Sequence, residues 1–322
     1  MTAFTRWIVW LSVIAVFTSG CSVNPVTGKQ QFSLVSPEQE VAIGAGQYKP
    51  AQQSQGGRYY LDPEVQAYVN EVGQKLARVS DRSGLPYEFV VLNSGIPNAW
   101  ALPGGKIAIN RGLLMVLDDE AELAAVLSHE IVHAAARHGA AQMTRGMLAG
   151  IGLQVLGSTT DSALGGTTAQ LGTAAWMARY GRSAELESDA FGIEYMVRAG
   201  YDPYGAVGLQ QKFVELSQGR QSDLLSSLFA SHPPSQERVT ANLAKAKTYP
   251  AGGTKNKARY QQKTARIKKD QPAYEAQDEA MAALRKRDAR KALTFLDKAI
   301  ALQPREGQFW ELRGHAWKIL DE

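Results

Sequence analysis

The spacing of apolar residues predicts a mainly helical protein with one small β-sheet. Asp62-Pro63 is typical of a helix start, because aspartate caps the first turn and proline suits the first helical position. The apolar face that follows has helical spacing and consists of Val65, Val69, Val72 and Leu76. β-Branched and aromatic residues over 87–92 predict a strand. Residues 98–102 and 106–110 predict two more strands, joined as a hairpin at Pro103-Gly104-Gly105.

The middle of the chain predicts several longer helices. Asp119 and Glu122 suit a capping arrangement that opens a helix over 120–138, which Gly139 can end. The segment 146–178 is apolar, but glycines interrupt it before it reaches the roughly 20 residues of a membrane span. We expect a helix, a loop and another helix there, beside the functional site.

Two further helices are predicted downstream of that segment. The first covers 182–199 and is closed by Gly200, and the second covers 203–216. By contrast, residues 21–58 are polar and rich in turn signals, so they predict a lead-in loop.

The first residues are typical of a secretory signal. Arg6 precedes an apolar run over 7–17, and small residues then lead to Cys21, so we assign 1–20 to a signal peptide. The segment Thr18-Ser19-Gly20-Cys21 resembles a bacterial lipobox, which makes Cys21 the predicted lipidation site; a plain signal peptide is the alternative. Ser22 is not acidic, and by the bacterial sorting pattern this favours the outer membrane. The predicted location is therefore the bacterial periplasm, on a lipid anchor.

The last fifty residues show the spacing of a tetratricopeptide repeat. Ala280, Ala292, Ala299 and Pro304 fall at repeat positions, and Trp310, Gly314 and Trp317 lie where a second repeat would continue. One and a half repeats do not make a stable solenoid alone. Either the segment 272–322 docks on the rest of the protein, or the sequence is part of something longer.

The charge distribution argues against a nucleic-acid surface. The formal charge of the whole chain is +4, but basic residues are concentrated between Ala251 and Asp270. This pattern predicts a basic linker over 249–271, either a solvated tether or a contact with anionic lipid head groups. The single cysteine excludes an internal disulfide.

The segment His129-Glu130-Ile131-Val132-His133 carries the chemistry. Residues four apart share a helical face, so both imidazoles can reach one metal while Glu130 faces a water on it. Neutral imidazole suits zinc, and a catalytic site needs three protein ligands and an open position. His129 and His133 are therefore predicted zinc ligands and Glu130 the general base.

A third ligand must come from another segment. Position 139 is glycine, so a third histidine at the metzincin spacing is absent, and His138 is one residue short of it. The candidate is Glu185, with Asp189 one turn later on the same helical face. Asp189 can accept a hydrogen bond from a ligating histidine and so set its tautomer. Glu187 lies round the helix from Glu185 and is not assigned to the metal.

These motifs together resemble the M48 family of metallopeptidases, over residues 22–245. The matching segments are HEIVH with Ala136-Arg137-His138, the Glu185 and Asp189 pair, Ser231-His232-Pro233, 98–105, 111–114 and Asn24-Pro25-Val26-Thr27-Gly28. The last is typical of the secreted lipoprotein branch. Ser188 departs from the alanine usual before the aspartate of this family.

The resemblance implies an α+β, mainly helical fold of gluzincin type, a zinc cofactor and endopeptidase activity. For members with a C-terminal repeat it implies a role in outer-membrane protein quality control, with the assembly machinery as a partner. An equivalent of His232 lies near the zinc in this family. His232 could stabilise the oxyanion, or fill the open coordination position and hold the enzyme inactive.

The resulting hypothesis is a zinc endopeptidase of misfolded or stalled envelope proteins. Its metallopeptidase domain covers 59–248, and the strand containing Asn98, Ala99, Trp100 and Ala101 is the candidate edge for an extended substrate. A chaperone-like adaptor, in which the repeat segment binds partners, is one alternative. A latent regulatory lipoprotein, restrained by His232, is the other.

Overall fold

The computed structural model describes residues 21–156, 180–218 and 226–321. It begins with a hairpin of β1 (Cys21–Val23) and β2 (Gln30–Phe32). Helix α1 (Pro37–Gln53) follows, with a capping box at Ser36. The predicted lead-in loop is therefore wrong over this range. The helix has no clear apolar stripe, and tertiary contacts hold it: the buried Glu40 pairs with Arg82 at 3.2 Å and with Arg137 at 2.9 Å.

The predicted small sheet is confirmed. Helix α2 (Pro63–Ala77) starts at the Asp62 cap, as the sequence indicated. Strands β3 (Glu88–Leu92), β4 (Ala99–Leu102) and β5 (Lys106–Asn110) form a sheet of order β3-β5-β4. β5 pairs antiparallel with β4, as the hairpin required, and parallel with β3.

Helix α4 (Glu120–Ala135) forms the centre of the domain, and every one of its residues is buried. It follows the short helix α3 (Arg111–Val116) and is capped by Asp119, as predicted. The predicted end at Gly139 is wrong, because the chain turns at Arg137 (φ 63°) and α5 (His138–Leu156) starts immediately. Glu40 and the Val35 carbonyl hold the Arg137 guanidinium at this break, at 2.9 Å and 2.5 Å.

Helix α6 (Arg182–Arg198) packs closely against α4 and ends at Gly200 (φ 81°), as predicted. A Cβ at Gly192 would lie 3.2 Å from Ser128 Oγ and 3.3 Å from His129 N, so glycine allows this close approach. The bundle is completed by α7 (Tyr204–Gln218), α8 (Ser226–Ser231) and α9 (Gln236–Ala246).

The segment predicted as a helix, a loop and another helix is described only in part. Helix α5 accounts for the first of these, and 157–179 lies outside the described residues, as do the predicted signal peptide and residues 219–225. Within the described ranges, no helix combines the length and apolar character that a membrane span requires.

The basic linker is not a tether. Residues 257–271 belong to helix α10 (Lys257–Arg285), which continues across the predicted boundary at 272. Tyr260 and Ile267 are buried in the main core. Arg259 lies 3.0 Å from the buried Glu120 and 2.7 Å from Glu71. The cations of this segment therefore serve in part as ion-pair partners for acids elsewhere in the protein.

The repeat segment docks on the rest of the protein. Helices α11 (Ala289–Leu302) and α12 (Gly307–Asp321) follow α10, and small buried alanines let the three pack closely. Glu306 is fully buried at the contact with the sheet domain. Its carboxylate accepts hydrogen bonds from Asn93 at 2.8 Å, Tyr274 at 2.7 Å and Tyr60 at 3.1 Å.

Candidate metal centre and active site

Four buried side chains converge from three parts of the chain. Helix α4 presents His129 and His133 one turn apart, α6 presents Glu185, and the loop after α8 presents His232. One ligand atom of each residue lies within 4.8 Å of those of the others. His129 Nε2 and His133 Nε2 are 3.0 Å apart. The Glu185 carboxylate lies 3.5 Å from the first of these nitrogens and 3.4 Å from the second.

His232 belongs to the same group of side chains. Its Nδ1 lies 3.2 Å from His129 Nε2 and 3.2 Å from each carboxylate oxygen of Glu185. Its Nε2 lies 3.4 Å from Glu130 Oε1. His232 therefore faces the predicted ligands with one ring nitrogen and the predicted base with the other.

Glu130 has the surroundings of a reactive carboxyl group. It is buried, and its Oε2 atom has no hydrogen-bond partner among the described residues. Burial raises the pKa of Glu130 above its usual value. A buried polar atom without a partner is costly unless a ligand or a reacting group completes its environment.

The donor set fits a zinc ion. Imidazole nitrogen and carboxylate oxygen are ligands that zinc accepts, and three protein ligands with an open position define its catalytic sites. The close approach of His129 Nε2 and His133 Nε2 points the same way, because two ring nitrogens directed at one point can share a cation there.

A buried ion pair supports the first histidine. Asp189 Oδ1 lies 2.9 Å from His129 Nδ1, the contact expected for a residue that sets the tautomer of a ligand. Arg238, at the start of α9, donates two hydrogen bonds to Asp189, at 2.6 Å and 2.7 Å, and its Nη1 lies 3.0 Å from Glu185. Burial alone would raise the pKa of Asp189, but the Arg238 guanidinium holds it below its usual range.

Sequence reasoning missed Arg238 and Tyr180, and it left His138 and Glu187 out of the metal ligands without giving them another role. The ring of Tyr180 stacks on His133, with ring centres 3.9 Å apart. His138 Nδ1 lies 2.9 Å from His133 Nδ1, and its Nε2 lies 3.1 Å from Glu187. The Ser235 cap that starts α9 three residues before Arg238 was the available signal for that arginine. It predicts a helix start but does not say which carboxylates the helix faces.

The predicted substrate strand reaches the site with one of its residues. Ala99, Glu130 and His129 line a cavity of about 50 Å³. The remaining walls of this cavity are largely apolar. The Trp100 side chain instead packs edge-on against Tyr48, on the other face of the sheet. Asn98 contributes its carbonyl to Asn110 N at 2.9 Å. Substrate binding by this strand stays a prediction.

An HExxH helix with a glutamate from a later helix is the arrangement of gluzincin-type metallopeptidases, and the α+β, mainly helical fold agrees with it. The comparison with known families is consistent with this class. The model of peptidase family M48 matches residues 63–246, and the chain belongs to that family. The resemblance inferred from the sequence motifs is therefore confirmed.

Individual relatives are similar to the chain at moderate identity. Mitochondrial metalloendopeptidase OMA1 of Schizosaccharomyces pombe is 30% identical over 67% of the chain and 63% of its own length. The beta-barrel assembly-enhancing protease of Escherichia coli is 29% identical over 70% of the chain and 48% of its own. Metalloprotease YcaL of Escherichia coli is 28% identical over 70% of the chain and 93% of its own length. The chain thus spans about half the length of the second relative.

Proposed function

We propose that the protein is a zinc-dependent endopeptidase. The observation that carries the proposal is the convergence of His129, His133 and Glu185 beside a buried Glu130 whose Oε2 has no partner among the described residues. Membership of family M48 and relatives named as metalloproteases support the same activity.

His129, His133 and Glu185 would hold the zinc ion. When bound, zinc supplies Lewis-acid polarisation of the scissile carbonyl and lowers the pKa of water. Glu130 takes a proton from the attacking water as the carbon–oxygen bond forms. It then returns that proton to the nitrogen as the carbon–nitrogen bond breaks, which leaves one carboxylic acid and one amine. The raised pKa of Glu130 suits this exchange, because the carboxyl group can hold the proton between the two steps.

For substrates we propose polypeptides of the bacterial envelope, in particular unfolded or misassembled outer-membrane proteins. One relative is named a beta-barrel assembly-enhancing protease, and this name motivates the proposal. An extended substrate would pair with β4, where Ala99 opens onto the cavity beside Glu130. We further propose a lipid anchor at Cys21, a periplasmic location at the outer membrane and a partner in the assembly machinery.

A latent form of the same enzyme is the second candidate. His232 Nδ1 lies as close to His129 Nε2 and to Glu185 as a fourth ligand would. Four protein ligands close a zinc site, whereas catalysis needs an open position. His232 would therefore restrain the enzyme until its loop moves. This position favours the restraining role over the oxyanion role. The docked repeat segment does not favour an independent chaperone-like module.

The test is zinc content and casein cleavage of the purified protein beside Glu130→Gln, with Glu215→Gln on α7 as a control. The proposal predicts about one zinc per chain in all three proteins, because neither substitution removes a proposed ligand. Cleavage should be lost in Glu130→Gln, by a factor of roughly 10²–10⁴, and kept in Glu215→Gln. Zinc without cleavage in the unaltered protein would favour the latent form, and absence of zinc would refute the proposal.

A further inference from the structure

The second ring nitrogen of His133 faces another histidine rather than a carboxylate. His133 Nε2 points at the other predicted ligands, and His133 Nδ1 lies 2.9 Å from His138 Nδ1. His138 is buried, and its Nε2 lies 3.1 Å from a carboxylate oxygen of Glu187. The same oxygen accepts a hydrogen bond from the Asn24 amide at 2.9 Å. The proposed mechanism uses neither His138, Glu187 nor Asn24.

A zinc ion on His133 would fix the direction of each hydrogen bond. A histidine that binds zinc through Nε2 needs the lone pair there, so its proton lies on Nδ1. With zinc bound, His133 Nδ1–H would donate to His138 Nδ1, which would carry a lone pair. The proton of His138 would then lie on Nε2 and be donated to Glu187. The Ser188 hydroxyl, 3.5 Å from His138 Nδ1, is a second donor directed at the same acceptor.

The two predicted histidine ligands are thus supported in different ways. His129 Nδ1 contacts the carboxylate of Asp189 directly, at 2.9 Å. Among the described residues, His133 Nδ1 reaches a carboxylate, that of Glu187, through the intervening ring of His138. The His138 ring can accept a hydrogen bond at one nitrogen and donate one from the other. When both nitrogens are bonded, the position of Glu187 therefore restricts the orientation of the His133 ring.

The series of hydrogen bonds from His133 through His138 and Glu187 ends in the N-terminal hairpin. Asn24 is buried and uses both ends of its amide: Nδ2 donates to Glu187, and Oδ1 accepts from the backbone N–H of Val26 at 2.9 Å and of Thr27 at 3.2 Å. Asn24 therefore fixes the turn between β1 and β2 and at the same time contacts α6. The turn begins three residues after the predicted lipidation site at Cys21.

We propose that His138, Glu187 and Asn24 are positioning residues for zinc, which orient His133 through one chain of hydrogen bonds that starts in the N-terminal hairpin. The chain couples the hairpin, next to the proposed anchor, to the affinity of the metal site. This inference rests on the zinc site of the proposed function, but it does not depend on peptide hydrolysis.

The test is the zinc dissociation constant of the full chain, measured by competition with a chromogenic chelator and without substrate. Support from residues behind a metal ligand is worth roughly 10–100-fold in affinity. We expect His138→Ala and Glu187→Ala to weaken zinc binding by about this factor. Glu194→Ala, which removes another carboxylate of α6, is the control and should leave the affinity unchanged.

Two conservative variants separate orientation from folding. In His138→Asn, the amide oxygen can take the place of Nδ1 as acceptor, so affinity should recover relative to His138→Ala. In Asn24→Asp, a side-chain oxygen can still accept the hydrogen bonds of the turn. The amide that donates to Glu187 is replaced by a second carboxylate, which repels Glu187, so the affinity for zinc should fall. The visible spectrum of the cobalt(II) protein, which reports ligand geometry, should change in His138→Ala and return towards the original in His138→Asn.

The outcomes distinguish this inference from the proposed function. The positioning role is refuted, and the metal site stands, if the unaltered protein binds zinc and the variants bind it with dissociation constants within twofold of the unaltered value. The variants that decide this are His138→Ala, Glu187→Ala and Asn24→Asp. If His138→Ala does not fold, His138→Asn and Asn24→Asp decide the question by the same measurement. If the unaltered protein binds no zinc, both proposals fail.

Discussion

Replacing Arg238 by methionine tests the buried ion pair behind the candidate metal site. The guanidinium donates two hydrogen bonds to Asp189, one to Pro233 O at 3.1 Å, and lies 3.0 Å from Glu185. Methionine keeps most of the apolar stem but leaves the charge of Asp189 with only His129 as a partner among the described residues. Breaking a buried pair by removing one partner costs about 3–5 kcal/mol.

The assay is urea unfolding of the metal-free protein near neutral pH, followed by tryptophan fluorescence. With an m-value of about 3 kcal/mol per molar, the loss moves the midpoint down by roughly 1–1.7 M. The matched control is Arg182→Met. Arg182 also joins α6 to α9, through Glu237, but its side chain is 77% exposed. Solvent screens that pair, so no measurable shift is expected. A shift for Arg238→Met no larger than that of the control would refute the reasoning.

Three further predictions concern the site and its surroundings. His232→Ala should raise casein cleavage while zinc content stays the same, because the three other ligands remain; a loss of cleavage would instead support an oxyanion role. Glu306→Ala should leave the Asn93 and Tyr274 donors buried and unpaired, at about 1–3 kcal/mol each, and hydrogen exchange should increase over 289–321; unchanged protection there would contradict the docking role. The lowered pKa of Asp189 stabilises the folded state above the unfolded value of 3.8, and this contribution is lost as the pH falls below it. Metal-free wild type should therefore lose stability more steeply than Asp189→Asn as the pH falls below the unfolded value, and equal slopes would contradict the shift.

Short-range patterns in the sequence predicted much of the domain that contains the candidate site. The helical spacing of His129 and His133 requires only one turn of helix, and the caps at Asp62 and Asp119 involve neighbours within three residues. The hairpin of β4 and β5 likewise follows from the turn between them. Such features depend on backbone geometry that a few consecutive residues determine, so they can be inferred without knowledge of the fold.

The errors occurred where distant residues decide the conformation. The helix over Pro37–Gln53 carries little apolar periodicity, and its buried Glu40 is balanced by Arg82 and Arg137. The basic segment predicts a linker, as a solvated tether or a lipid contact, because its partners, Glu120 and Glu71, lie far away in sequence. In both cases the unfavourable burial of charge is offset by a partner that local sequence does not reveal.

The sequence by itself determined the chemical identity of the candidate site: two imidazoles and a carboxylate on one helix, and an acidic pair on a later one. Only the tertiary structure decided how these side chains are held. It placed Arg238 on Asp189, and it joined His133 to Asn24 through His138 and Glu187. The physical reason is that a hydrogen bond forms only within a few tenths of an ångström of its preferred donor–acceptor distance. Contacts between residues such as Asn24 and Glu187, which lie 163 positions apart, depend on how whole helices pack.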